Sequence, residues 1–253
     1  MNLWGWSGLP RDVSRDGHRI AWLLNSTHLF TLALFAVVVV WMGIACLRHT
    51  RKRRPEADYD LGNSRRSIFA ALALSAGVFA VVDGNLFIHS VKDLDQAFWN
   101  FRLPLSDPNT VRIEVNAHQW AWDARYPGED GVFQTPDDVV TWNDFTVPVD
   151  TPVYLQLTST DVIHNFYLPN FLIKTDAVPG QVNHLWFQAK ETGRFEVACS
   201  QHCGAYHYKM RAQLTVLSRG EYRAWARVAS DSARRGYDPD DASAHWGWAW
   251  KPR

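Results

Sequence analysis

The sequence is poor in the residues that stapled folds and soft-metal sites use: three cysteines and three methionines among 253 residues. Three cysteines cannot build a framework of several disulfides, so the chain must bury a core of its own. Net charge is missing as well, because 26 basic residues balance 26 acidic ones. That balance excludes the bulk basic surface that nucleic acids require, and no nucleic-acid partner is expected. Charge is also absent locally. No Asp, Glu, Lys or Arg occurs from Ile20 to Leu47, and none from Ser67 to Val82, where Asp83 ends the run. A bilayer core needs about 20 consecutive apolar residues, so two transmembrane helices are expected, over residues 27–48 and 67–89. No small-residue cleavage site stands ahead of the first run, which is therefore read as a retained helix.

Between the two runs lie Arg48, Arg51, Lys52, Arg53, Arg54, Arg65 and Arg66. Short loops this basic stay on the cytoplasmic side, which puts loop 48–66 inside and both termini outside. The expected organisation is an external segment over 1–26, a helix hairpin over 27–89, a connector over 90–110, a β-domain over 111–220 and a tail over 221–253. The β-domain rests on alternating runs at 111–117, 120–126, 153–159, 184–188, 194–198 and 212–217, bounded by turns such as Tyr126-Pro127-Gly128 and Pro179-Gly180. The fold class is thus a membrane-anchored all-β protein: a two-helix transmembrane hairpin followed by a β-sandwich or small barrel. A helical period appears only from about 219. The tail is polar and then Trp-rich, which suits contact with a partner subunit.

The scarce soft ligands are concentrated in one stretch, CSQHCGAYHYKM, residues 199–210. Thiolate and thioether favour soft metals, and imidazole suits copper, zinc and nickel. Zinc loops show paired short Cys spacings and no Met. A mononuclear blue-copper site uses one Cys, two His and a weak Met; here Cys199, Cys203, His207 and Met210 include a second thiolate. Two thiolates can bridge two copper ions, each then needing an imidazole. His207 gives one, and His164, at the end of an apparent strand, is the candidate for the other. A Cys199–Cys203 disulfide would leave His164, His207 and Met210 unexplained. His202 reads as a bystander, and Cys46 as an inert thiol in the first helix.

Three stretches carry a family resemblance: AHQWAWDARY (117–126), LTSTDVIHNFYLPNFLIKTDAVPGQVNHLWF (157–187) and GRFEVACSQHCGAYHYKM (193–210). Following two helices in this order, they resemble subunit II of haem-copper oxidases, the subunit through which cytochrome c oxidase receives electrons. The resemblance implies a cupredoxin-like domain with the dinuclear copper centre CuA. It makes Cys199 and Cys203 the bridging ligands, pairs His164 with Met210 on one copper, and pairs His207 with the backbone carbonyl of Gln201 on the other. It makes Trp120 the residue where electrons come in from a c-type cytochrome, and a haem-bearing catalytic subunit the acceptor. It also implies the inner (cytoplasmic) membrane, with the copper domain on the periplasmic side.

Two departures stand out. The family usually has Glu at position 201, whose carboxylate reaches a magnesium ion at the subunit border. Gln201 keeps the carbonyl but offers a hard cation only a neutral amide, so loss or alteration of magnesium is expected. The stretch GNSRRSIFAALALSAGVF also lacks the acid and the proline that the family places around its second helix. Acids outnumber bases between 111 and 220, and Asp123, Asp137 and Asp138 are expected to form an acidic rim that steers a basic cytochrome. Two other functions fit the same ligands: a nitric oxide reductase of the haem-copper plan, and a copper carrier or assembly protein.

Overall fold

Ser14 sets the start of the first helix. Its hydroxyl accepts the Gly17 N–H at 2.8 Å, satisfying one of the donors that a helix leaves open at its start. In the computed structural model, which describes residues 8–50, 52, 61–238 and 240, helix α1 then runs Gly17–Arg48. The second helical stretch begins with α2 (Arg65–Val78), where the Ser64 hydroxyl accepts the Ser67 N–H at 3.1 Å. It continues through a π-turn at Phe79–Asp83, α3 (Gly84–Asp93), a second π-turn at Leu94–Phe98 and α4 (Arg102–Ser106). Both stretches are long and apolar enough to cross a membrane. Their large side chains, Phe35, Trp41 and Phe69 among them, point outward. A helix that is apolar all round belongs in a core or in lipid.

The chain divides into two compact units. The first is the helix pair. Arg19 of α1 and Asp93 of α3 form an ion pair at 2.7 Å, and Trp22 packs on His89 with ring centroids 4.3 Å apart. Expectation and structure differ at the helix ends. α1 begins at Gly17 rather than residue 27, and residues 90–110, expected as a connector, are largely helical as far as Ser106. An apolar run marks the lipid-buried part of a helix, not the polar turns that extend it into water. Residues 51 and 53–60 of the expected cytoplasmic loop 48–66 fall outside the described residues, as does the Trp-rich end of the tail.

The second unit is a β-sandwich with ten strands: β1 (Val111–His118), β2 (Ala121–Tyr126), β3 (Val139–Trp142), β4 (Asp144–Pro148), β5 (Pro152–Ser159), β6 (His164–Leu168), β7 (Ile173–Ala177), β8 (Asn183–Gln188), β9 (Gly193–Cys199) and β10 (Arg211–Leu217). One sheet has the order β3-β2-β1-β5-β8 and the other β4-β10-β9-β6-β7. β1 pairs in parallel with β5 and β4 with β10, while the remaining neighbours are antiparallel. Between the sheets, Val115, Trp122, Phe145, Leu155, Leu157, Phe166, Leu168 and Leu214 are fully buried. Trp122 meets Phe166 edge-on at 5.2 Å, and Phe145 meets Phe166 at 5.3 Å. Truncating such a core aromatic costs about 3–5 kcal/mol.

Two features outside the alternating runs complete this unit. Pro10–His18 packs on the sandwich: Val13 N–H donates to Asn170 O at 2.9 Å, Lys190 N–H to Val13 O at 2.9 Å, and Val13 is fully buried. At the other end of the chain, α5 (Arg219–Gly236) opens with a capping box between Ser218 and Glu221. Its Trp225 lies 5.2 Å from the Tyr126 ring, and Ser230 donates to the Asp137 carboxylate at 3.2 Å. The boundary expected at residue 220 therefore falls inside a helix docked on the sandwich.

The expected acidic rim is corrected here. Asp137 and Asp138 are 4% and 1% exposed and face inward. Asp138 lies 3.8 Å from Arg125, which also binds Glu114 at 2.7 Å; Asp137 accepts from Thr135, Ser230 and Arg234. Burial pushes the carboxyls of Glu114 and Asp138 up. These acids hold loop 127–138 and α5 in place, and charge in a loop sequence does not show which way it faces.

Candidate metal centre

The soft ligands converge because three strand ends meet at one edge of the sandwich. Cys199 closes β9 and Met210 immediately precedes β10, so the antiparallel β9–β10 pairing brings them together; Cys199 N–H donates to Met210 O at 3.1 Å. The intervening loop is tied to itself by His207 N–H to Gly204 O at 3.1 Å and Met210 N–H to His207 O at 3.1 Å. His164 opens β6 rather than ending a strand, and β6 pairs with β9, with Phe166 opposite Cys199. His164 and Met210 are fully buried, and Cys199 and Cys203 nearly so.

The donor atoms are close. One ligand atom each from His164, Cys199 and Cys203 lies within 4.8 Å of the others. The two sulfurs are 3.8 Å apart and both thiols are free, far from the disulfide length of about 2.0 Å. His207 Nδ1 lies 3.6 Å and Met210 Sδ 3.7 Å from Cys203 Sγ, and His164 Nδ1 lies 3.1 Å from Met210 Sδ. Gln201 is exposed, but its carbonyl faces inward, 3.2 Å from Cys199 Sγ. All six expected ligands are therefore brought together. His202 packs beside His207 at 5.5 Å between ring centroids and is exposed.

The thiols respond to this crowding. Burial opposes the Cys199 thiolate, but hydrogen bonds from His164 and from the Asn165 and Gln201 peptides outweigh it and hold its pKa down, to about 6. Burial and the neighbouring Cys199 charge push Cys203 up, to about 12. Two buried thiolates at this separation repel, so the pair is stable as a dianion only with positive charge between or beside them. Two thiolates, two imidazoles, a thioether and a carbonyl form a soft donor set that suits copper.

Sequence reasoning missed Asp161. Its Oδ1 accepts from His164 Nε2 at 2.9 Å, and its Oδ2 accepts the Gln119 N–H at 2.6 Å. Burial lowers the basicity of His164, but hydrogen bonds with Cys199 and Asp161 more than offset this and raise its pKa. The spacing Asp161-Val162-Ile163-His164 was the available signal. Trp120 stands in the β1–β2 turn, half-buried, behind a cis Gln119–Trp120 peptide. The Gln119 side chain donates to Cys203 O at 2.6 Å, and the Trp120 ring packs edge-on against Tyr206 at 4.7 Å. Asp123 lies nearby in β2, paired with His118 at 3.3 Å.

A membrane-anchored β-sandwich that gathers these donors at one edge defines a copper-protein class. Residues 111–216 match the family described as cytochrome c oxidase subunit II, periplasmic domain. The alternative cytochrome c oxidase subunit 2 of Bradyrhizobium diazoefficiens is 30% identical over 224 residues, covering 80% of this chain and 77% of the relative. The cytochrome c oxidase subunit 2 of Alkalihalophilus pseudofirmus is 30% identical over 223 residues, covering 85% of this chain and 60% of the relative. The crystal structure of the periplasmic domain of subunit II from Bradyrhizobium japonicum is 31% identical, with a TM-score of 0.43, covering 48% of this chain and 94% of that one. The chain belongs to the cytochrome c oxidase subunit II family, and its β-domain is cupredoxin-like. The family implies copper at this centre, and the donor set fits it.

Proposed function

We propose that the chain is the electron-receiving subunit of a haem-copper terminal oxidase. It takes electrons from a c-type cytochrome and passes them to haem in a separate catalytic subunit. The observation that carries this reading is the convergence of Cys199, Cys203, His164, His207, Met210 and the Gln201 carbonyl around two free thiols. Copper held by Cys199, Cys203, His164, His207, Met210 and the Gln201 carbonyl would supply a one-electron centre with little need to rearrange. The protein's part is to fix the donors in advance. Asp161 holds the Nε2 proton of His164, leaving Nδ1 free as a ligand. Trp122, stacked edge-on near His164 at 6.0 Å, and Phe166 keep water from that side.

The reading also places the chain in the inner membrane as a two-pass protein with the sandwich on the periplasmic side. The strap at Pro10–His18, ahead of the first helix, is hydrogen-bonded into the same sandwich that follows the second helical stretch. A hairpin whose two outer ends join one folded unit has both ends on one side of the bilayer, which supports two crossings by the two apolar stretches. Gln201 offers no carboxylate, so the centre is expected to hold copper without magnesium at this position.

Purification of the native complex with metal and haem analysis, followed by measured consumption of oxygen and of nitric oxide, tests the proposal. Two coppers per chain, co-purifying haem and cytochrome-dependent oxygen uptake are expected. Exchangeable copper with no haem subunit would make the chain a copper carrier, and uptake of nitric oxide in place of oxygen would make it a reductase subunit.

A further inference from the structure

One charge in the helix hairpin has no part in the copper centre. Asp83 ends the charge-free run of the second helical stretch, standing 17 positions after Arg66 and 9 before Lys92, the cations that bracket the stretch. At a rise of about 1.5 Å per residue those cations are about 39 Å apart. With a hydrocarbon core about 30 Å thick centred between them, Asp83 lies about 9 Å inside its outer edge.

The hairpin itself offers this carboxylate no cation. α3 meets α1 through Asp93, paired with Arg19 at 2.7 Å, and through His89, packed on Trp22. At about 100° per residue, Asp83 stands about 120° round the helix from His89, and it is exposed. No Lys or Arg occurs from Ile20 to Leu47 or from Ser67 to Val91. His28, at a similar depth in α1, is exposed too, and among the described residues it makes no ion pair with Asp83. The single methylene of an aspartate cannot carry its charge out to water, as the long stem of a lysine or arginine does. Acids inside a membrane accordingly face a partner group rather than lipid.

The surroundings of Asp83 indicate which group. Phe79 and Phe87 stand four residues before and after it on the same helix face, and both are exposed. A carboxylate flanked by two aromatic rings fits a guanidinium better than an ammonium. The guanidinium is planar and always charged, binds a carboxylate through two N–H groups, stacks on aromatic faces and is the more weakly hydrated of the two.

We propose that Asp83, Phe79 and Phe87 form an intramembrane docking surface for the haem-bearing subunit, and that the surface takes an arginine carried by one of that subunit's membrane helices. This rests on the electron-receiving reading above, which supplies such a subunit, and names a contact that holds it.

The test uses the complex in its native membrane. A photo-crosslinking residue in place of Phe87, with Asp83 intact, should join a membrane helix of the haem subunit within one turn of an arginine, as located by mass spectrometry. Asp83→Asn and Asp83→Leu each leave that arginine without its counter-charge, so the haem recovered per copper after detergent extraction should fall about tenfold or more, with copper per chain unchanged. Asp83→Glu should keep most of the haem. Crosslinks to lipid alone, or to a helix with no arginine within a turn, overturn the pairing, as does wild-type haem recovery in both the Asn and the Leu variants. A wild-type preparation that holds copper and no haem overturns the electron-receiving reading itself.

Discussion

The Asp161 carboxylate stands 2.9 Å from His164 Nε2, while the opposite ring nitrogen, Nδ1, stands 3.1 Å from Met210 Sδ. One edge of the imidazole is thus committed to a carboxylate and the other is turned into the metal centre. The same carboxylate receives the Gln119 N–H, joining the turn that carries Trp120 to a ligand 0% exposed.

Asp161→Ala removes both links. Groups that orient a ligating histidine contribute about 10- to 100-fold in metal affinity, and loss of that size is expected in competition titration with copper. Without the carboxylate, His164 donates less charge and the reduction potential should rise. Asp161→Asn, which can still accept the Nε2–H but carries no charge, should fall between wild type and Asp161→Ala in potentiometric titration.

Gly204 has φ +125°, and a Cβ there would lie 2.9 Å from Gln119 Nε2 and 3.2 Å from the Trp120 ring. Gly204→Ala should therefore cost about 1–3 kcal/mol from backbone strain alone and push Trp120 outward. Thermal unfolding reads the first effect. The second is read by the rate of reduction by the donor, which should fall while copper content stays at the wild-type value.

Asp137 ties α5 to the sandwich. Burial pushes its carboxyl up, but hydrogen bonds from Thr135, the Glu129 N–H and Ser230 outweigh this, and its pKa lies below the ordinary 3.8. A carboxylate with a depressed folded pKa contributes stability that is fully present above its unfolded value and is lost as pH falls through the folded one. The protection of α5 amides, taken relative to their intrinsic exchange rate at each pH, should thus be full above about pH 4 and fall as acid protonates Asp137. Asp137→Asn should show faster exchange at neutral pH, with a loss of about 1–3 kcal/mol.

The strap at Pro10–His18 makes the sandwich depend on residues that precede the first helix. Val13 is 1% exposed between Asn170 and Lys190. Val13→Ala removes two buried methyl groups and should lower stability by about 1–2 kcal/mol, seen in denaturant unfolding of the sandwich.

Most of the candidate ligands were legible because scarce residue types cluster between Cys199 and Met210, where a methionine and a second cysteine set the stretch apart from zinc and mononuclear copper loops; His164, well upstream, was drawn in by resemblance to known copper-protein families. The apolar helices were legible for the same reason, as long runs without charge. Four of the ten strands, β3, β4, β6 and β7, escaped: they are short, and β6 hides behind the polar His164-Asn165 start. Orientation was not legible either. Asp137 and Asp138 read as surface charge, yet Arg125 on β2 draws Asp138 inward, and Ser230 and Arg234, far away in sequence, hold Asp137. Asp161 went unseen because its role lies in a hydrogen bond to a ligand rather than in ligation. Val13 carried no signal at all, since one valine in a polar segment has no period.

The central claim is that both thiols serve two metal ions. Copper analysis of the purified complex, joined to electron paramagnetic resonance of its half-oxidised centre, tests this most directly. The account predicts two coppers per chain and a signal from one electron shared equally between two copper nuclei, lost in Cys199→Ser and in Cys203→Ser. A single copper with an ordinary one-nucleus signal, or a Cys199–Cys203 disulfide in the native complex, would contradict it.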